Sequence, residues 1–420
     1  MTFFEELEWR GLIKDVAGED IADKLNNEKI TFYWGTDPTA DSLHLGHYSS
    51  LVTAKRLAKA GHHPILLVGG ATGLIGDPRP TAEREIISED TVNNNIKGIR
   101  AQVSAIVPAA ELVDNYDWLK DYTFLNFLRD IGKYINVNYM LDKDIIRRRL
   151  DTGITYAEFS YMLMQGYDFV HLYQEKNCIM EVAGSDQWGN ITTGTELIRR
   201  TLGGEAEAFA LTCPLITKAD GGKFGKTEKG NIWLDPERTS PYQFYQFWLN
   251  VSDSDAEKYI KIFTMLTKDE IDAAIAQHAE APERRELQKL LAKEVTTMVH
   301  GAAEYENAVA ASQMLFGNAT KEALMNLDEK TFLAVFDGVP TFEIAADNFT
   351  LETLFENATN GTSCETAIAI ESLGQNINIP NISENILWHT YTADKSGFYT
   401  VHVKIGQGST MKVKVGNCDA

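Results

Sequence analysis

Four short apolar runs, each ending in a turn or loop and the first three leading into helical stretches, set the architecture of this chain. They are ITFYWGT at 30–36, HPILLVGG at 63–70, NCIMEVAG at 177–184 and AFALTCPLIT at 208–217. Near-continuous apolar runs of this length suit strands covered on both faces, as in a parallel sheet. A fifth run, ELVDNYDWL at 111–119, also reads as a strand. Helical patterns lie between them, over 45–60, 82–108, the stretch opening FLNFLRDIGKY at 124, and 156–174. The segment SDQWGNITTGTELIRRTL opens another helix on a Ser-Asp start. Alternating strands and helices predict an α/β domain with a parallel sheet and right-handed crossovers.

After about residue 241 the pattern becomes helical, and after Pro340 it changes again. Residues 362–417 are rich in Thr, Asn, Gly and Val, and WHTYTAD, GFYTVHVKI and STMKVKVG alternate like strands of a β-sandwich. The expected division is an α/β domain over 1–220, with a helical insertion near 120–150. A loop and α-helical domain over 221–340 and a β-rich module over 341–420 follow.

No apolar run reaches the roughly 18 residues of a membrane span, and the acidic start MTFFEELEWRGLIKD is unlike a secretory signal. The four cysteines are scattered with no CxxC pair, which argues against zinc and suits a reducing cytoplasm. The net charge of −21 disfavours nucleic acid on average, although a local basic strip can sit on an acidic protein.

Ligands of an open parallel sheet bind at the carboxyl ends of its strands, where helix N-termini point. Three motifs fall there. In DSLHLGHYSS, His44 and His47 share one helix face and offer N–H donors to phosphate oxygens, while Gly46 permits close approach of a flat base. A capped helix with two surface histidines reads equally well from HLGH alone. In GGKFGKTEKG, Lys223 and Lys226 with Thr227 suit a pyrophosphate clamp, or simply a solvated basic turn. In AGSDQWGN, Gly184 permits close approach, Asp186 can accept from ribose hydroxyls and Gln187 can donate to a carboxylate. The plain alternative there is a helix cap beside a buried Trp188.

Taken in order, YWGTDPTADSLHLGH, ATGLIGDP, EFSYMLMQGYDF, VAGSDQWGN, PLITKADGGKFGKTE and TSPYQFYQFW resemble segments of the bacterial tyrosyl-tRNA synthetases, a family of class I aminoacyl-tRNA synthetases. The resemblance runs from about residue 3 to 345 and implies a Rossmann-like catalytic domain that makes tyrosyl-adenylate and charges tRNA(Tyr). It implies that Tyr33 and Asp168 bond the substrate phenol, and that Asp77, Tyr161 and Gln165 hold its ammonium. Gly35, Asp37, Thr39, His44, Gly46 and His47 would form the ATP face, with Gly184, Asp186 and Gln187 at the ribose and carboxylate. Lys223, Lys226 and Thr227 would form a signature loop. The expected substrates and partners are ATP with Mg²⁺, L-tyrosine, tRNA(Tyr) and a second copy of the chain; no dedicated metal cage and no membrane are expected. A related HxGH nucleotidyl-transfer enzyme and a decayed, non-catalytic synthetase are the competing readings. Glu181 departs from the pattern, because the family often has glutamine there.

The resemblance stops near 345. No arginine follows Arg285, and residues 341–420 hold nine acids against four lysines, a poor surface for tRNA. The segment SCETAIAIESLGQNINIPN through VGNCDA instead resembles a pre-peptidase C-terminal β-sandwich module, in which Cys364 and Cys418 could pair. A diverged RNA-binding domain is the alternative.

Overall fold

The computed structural model describes residues 1–316 except 80–83, 220, 223, 228 and 229. It also describes the backbone of 341–345, 364–367, 391–393, 399–405 and 409–415. Side chains of 226, 227, 314–316 and the five C-terminal segments lie outside the description. The chain forms two compact units. One comprises Met1–Thr239 with Trp248–Val299, the other Ser240–Phe247 with His300–Ala420.

The first unit is built on a six-stranded sheet. Its strands are β1 (Asp15–Ala17), β2 (Thr31–Thr36), β3 (His63–Val68), β4 (Glu111–Asp114), β5 (Cys178–Gly184) and β6 (Phe209–Cys213), in the spatial order β1-β6-β5-β2-β3-β4. β2 through β6 pair in parallel, and β1 adds an antiparallel edge to β6. The apolar runs predicted the central strands. They did not predict β1, because three residues with one neighbour carry no periodic signal.

Successive side chains of a strand point to opposite faces, and the core follows that rule. Tyr33, Ile65 and Leu67 face the helix α3 (Tyr156–Lys176), where they pack with Met162, Phe169 and Leu172. On the other face the Trp34 indole N–H donates to Ser50 on α1 (Leu45–Lys59) at 2.9 Å. Helices therefore cover both faces, which is why these strands read as continuous apolar runs.

Two expected elements differ in extent. The helix expected over 82–108 is α2, Glu89–Ile106, starting where the Ser88 side chain accepts from the Thr91 N–H. The strand expected over 111–119 ends at Asp114, whose carboxylate accepts from the Gly70 and Tyr116 N–H groups and turns the chain into a short helix, Tyr116–Leu119. In place of a Ser-Asp cap, a 3₁₀ turn at Ser185–Gln187 leads into α4 (Trp188–Leu202), with no side-chain cap bond.

Helices Asp253–Phe263, Lys268–Glu280 and Glu286–His300 follow the six-stranded sheet in sequence. In the second unit, Phe244 meets His300 edge-on and Gln246 donates to Ser312 in the helix Ala302–Phe316. Its strand 399–405 pairs antiparallel with 409–415 and parallel with 341–345. Cys418 lies outside the described residues, as do the side chain of Cys364 and most of the predicted module. Among the described residues, no helix is long and apolar enough to cross a membrane.

Candidate active site

The β2–β3 crossover moves one way across the sheet and the β5–β6 crossover the other, so β2 and β5 flank the point where the strand order reverses. Such switch points are where open α/β sheets hold ligands. A cavity of about 350 Å³ opens there. Tyr33, Gly35, Asp37 and Thr39 reach it from β2 and the following turn; His44, Gly46 and His47 from the start of α1; and Asp77 from the segment after β3. Tyr161, Gln165 and Asp168 come from one face of α3, and Gly184, Asp186 and Gln187 from the end of β5. Lys223 lies outside the described residues. Lys226 and Thr227 are described only as a two-residue backbone strand paired with Gly230–Asn231.

The inner end of the cavity is polar. Asp168 is buried, and both carboxylate oxygens are anchored: Asn115 Nδ2 donates to Oδ2 at 2.9 Å and Trp118 Nε1 to Oδ1 at 2.8 Å. Burial holds the Asp168 carboxyl well above the usual range, against the pull of these two bonds. Asn115 is itself fixed, accepting from the Ala71 N–H and donating to Thr72. The buried Tyr33 hydroxyl lies beside the buried Glu181 carboxyl, and each acts on the proton affinity of the other. Burial, then the negative charge of Glu181 and hydrogen bonding to it, then the charge of Asp168, raises the Tyr33 phenol well above its normal value. Gln165 Nε2 donates to Glu181 Oε1 at 3.0 Å, and burial pushes Glu181 up to about 7.

Two further carboxylates line the same cavity. Asp77 accepts from Gln187 at 2.8 Å and from Asn190 at 3.1 Å, and burial raises it. Asp37 accepts from Thr72 at 2.7 Å and from the Tyr161 hydroxyl at 2.9 Å, and burial pushes it up to about 6.

His44 is the N-cap of α1 rather than a member of its first turn. Its Nδ1 accepts from the Gly46 N–H at 3.0 Å, and its own N–H donates to His47 Nδ1 at 3.3 Å. The two rings stack with centroids 4.0 Å apart. Because each Nδ1 accepts, the proton of each neutral ring sits on Nε2. Burial, with the His44 and Arg84 charges nearby, lowers His47 to about 3, so it is a neutral donor at ordinary pH. A Cβ on Gly46 would come within 2.7 Å of His44 Cε1, so the folded helix start itself demands glycine here.

Sequence reading missed Arg84, which lines the cavity and is tied by Nε to the Asp77 carbonyl. It also missed Asn115 and Trp118, because a strand over 111–119 would have sent them elsewhere. Their only sequence signal was a buried carboxylate at 168 in need of donors.

A family profile described as class I tRNA synthetases (W and Y) matches residues 25–317. The tyrosine–tRNA ligase of Bacteroides thetaiotaomicron is 58% identical over 83% of each chain. That of Porphyromonas gingivalis is 57% identical over 82% of each. A C-terminally truncated mitochondrial tyrosyl-tRNA synthetase of Aspergillus nidulans superposes with a TM-score of 0.67 at 31% identity, covering 75% of this chain and 94% of that one. With that profile spanning most of the chain and relatives this close, the chain belongs to the class I tRNA synthetases of the tryptophan and tyrosine family.

Proposed function

We propose that this chain carries out its relatives' reaction, the ATP-driven ligation of L-tyrosine to tRNA(Tyr), in the cavity between β2 and β5. It is an aminoacyl-tRNA synthetase with ATP as a substrate. The observation that carries the assignment of the site is the doubly anchored Asp168 carboxylate beside the unpartnered Tyr33 hydroxyl. An aromatic ring fits among Leu67 and the apolar wall, and its hydroxyl donates to Asp168 and accepts from Tyr33. Sites that bond a substrate hydroxyl reject the analogue lacking it by roughly 10⁴–10⁵, and enzymes of this very family are the standard illustration of that figure.

The substrate ammonium sits among Asp77, Tyr161 and Gln165. Its carboxylate oxygen attacks the α-phosphorus of ATP; the new P–O bond forms as the α–β bridge breaks and pyrophosphate leaves. A ribose hydroxyl of tRNA then attacks the carbonyl carbon and releases AMP. No side chain acts as a nucleophile. The Nε2–H groups of His44 and His47, the Arg84 guanidinium and the loop residues Lys223, Lys226 and Thr227 stabilise the charge that builds on the triphosphate. Gly35, Asp37, Thr39 and Gly46 face the nucleotide, with Gly184, Asp186 and Gln187 at the ribose and carboxylate. Mg²⁺ enters with the triphosphate as part of the substrate; among the described residues, no three His, Cys, Asp or Glu side chains cluster to hold a metal.

The enzyme works as a cytoplasmic homodimer. Supporting the dimer, large apolar side chains are exposed over one short span, including Leu125 (77%), Tyr156 (63%) and Phe124 (62%), with Leu128, Val137 and Leu150. Tyrosine-dependent ATP–pyrophosphate exchange, followed by charging of tRNA(Tyr), tests the assignment. Exchange with tyrosine supports it, and exchange driven equally by any amino acid contradicts it.

A further inference from the structure

Three buried polar atoms at the inner end of the cavity lack hydrogen-bond partners: the Tyr33 hydroxyl, Glu181 Oε2 and Gln165 Oε1. Tyr33 and Glu181 are register partners on the adjacent strands β2 and β5, so their side chains stand side by side on one face of the sheet. The groups around Glu181 are Tyr33 from β2, Gln165 and Asp168 from α3, and Cys178 on its own strand; its partner on β6 is Ala210. None of these is cationic. Burying a carboxylate without a cation or several donors is costly, and the usual escape is to keep the proton. Glu181 Oε1 already accepts from Gln165, which leaves Oε2 to carry that proton.

Resting on the tyrosine reading above, we propose that Glu181 is a positioning residue for the substrate hydroxyl: as a neutral acid it donates from Oε2 to the Tyr33 oxygen and turns the Tyr33 O–H toward the ligand. The chain of donors then runs Glu181 to Tyr33, Tyr33 to the substrate phenol, and the phenol to a carboxyl oxygen of Asp168. Every oxygen in that chain is satisfied. Ionised Glu181 reverses the first link. Tyr33 then donates to the carboxylate, and the substrate oxygen loses its donor. Tyrosine is therefore held by one protonation state of a group that titrates near 7.

The test is the KM for tyrosine in pyrophosphate exchange across about pH 6 to 8, for the native chain, Glu181→Gln and Tyr33→Phe. Glutamine donates whatever the pH. If only the neutral form binds well, the native KM rises roughly tenfold across this window as the competent fraction falls. The discrimination against phenylalanine falls in step, because only the hydroxyl contact is lost, while kcat moves less. Glu181→Gln gives a flat KM. Tyr33→Phe, which removes the intermediary, also abolishes the pH dependence and serves if the glutamine variant does not fold. A flat native profile overturns the inference, as does a Glu181→Gln profile that rises like the native one. Absence of any tyrosine-dependent exchange in the native chain overturns the underlying reading as well, and so is distinguishable from failure of the Glu181 role alone.

Discussion

The Trp118 indole N–H donates to Oδ1 of Asp168 at 2.8 Å, while the same indole stacks on His171 with centroids 4.4 Å apart. The stacking fixes the donor and the donor fixes the carboxylate. Leaving a buried polar group without its hydrogen-bond partner costs about 1–3 kcal/mol. Trp118→Phe keeps the ring and removes the N–H. It raises the KM for tyrosine roughly tenfold or more and leaves the KM for ATP near the native value. Steady-state exchange kinetics check this split.

How much of this was legible in the sequence depends on how local each signal is. HLGH, SDQWGN and the apolar spacing of YAEFSYMLMQGYDFV are contiguous, so Tyr161, Gln165 and Asp168 could be placed on one helix face without coordinates. The anchors of Asp168 were hidden because ELVDNYDWL has the composition of a strand. What breaks it is non-local: the Asp114 carboxylate accepts from Gly70 on another crossover. Gly70 in turn has no room for a side chain, since a Cβ there would lie 2.3 Å from Asp114 Oδ1. Gly46 was read as clearance for a base; the folded chain adds a demand from within, the ring of its own cap residue.

His47 is held neutral, lowered to about 3 by burial and the nearby His44 and Arg84 charges. The rate of exchange at saturating substrates therefore shows no acid limb near pH 6.5 arising from this ring. His47→Ala removes a preorganised donor and lowers kcat roughly 10²- to 10³-fold, with the KM for tyrosine changed far less. A pH–rate profile of the two proteins checks both statements.

The cavity carboxyls make stability fall with rising pH. Glu181 moves from an ordinary 4.5 to about 7 and Asp37 from 3.8 to about 6, and burial raises Asp77 and Asp168 in the same direction. The folded state thus binds these protons more tightly than the unfolded chain does. The contribution of Asp37 and Glu181 is complete below about pH 4 and is lost as pH climbs through about 6 to 7, and Asp77 and Asp168 act with the same sign. The ligand-free protein has a lower Tm near pH 7.5 than near pH 5, and the fall is smaller in Glu181→Gln. Thermal denaturation in matched ionic strength reads this; a Tm that climbs over the interval is the opposing result.

The tail offers tRNA little charge, with four lysines against nine acids from 341 to 420. Removing residues 341–420 leaves tyrosine-dependent exchange at its full-length rate and changes the kcat/KM for charging tRNA(Tyr) by no more than a few-fold. Parallel exchange and charging assays on the two lengths of chain check this. A large loss of charging alone would make the tail a tRNA-binding element.

The most direct measurement is kcat/KM for ATP–pyrophosphate exchange with tyrosine and with phenylalanine, on the native chain and on Asp168→Asn. Recognition of the phenol by Asp168 and Tyr33 predicts a preference for tyrosine of roughly 10⁴ or more in the native chain, much reduced in the variant. Equal exchange with phenylalanine, or a preference untouched by Asp168→Asn, contradicts it.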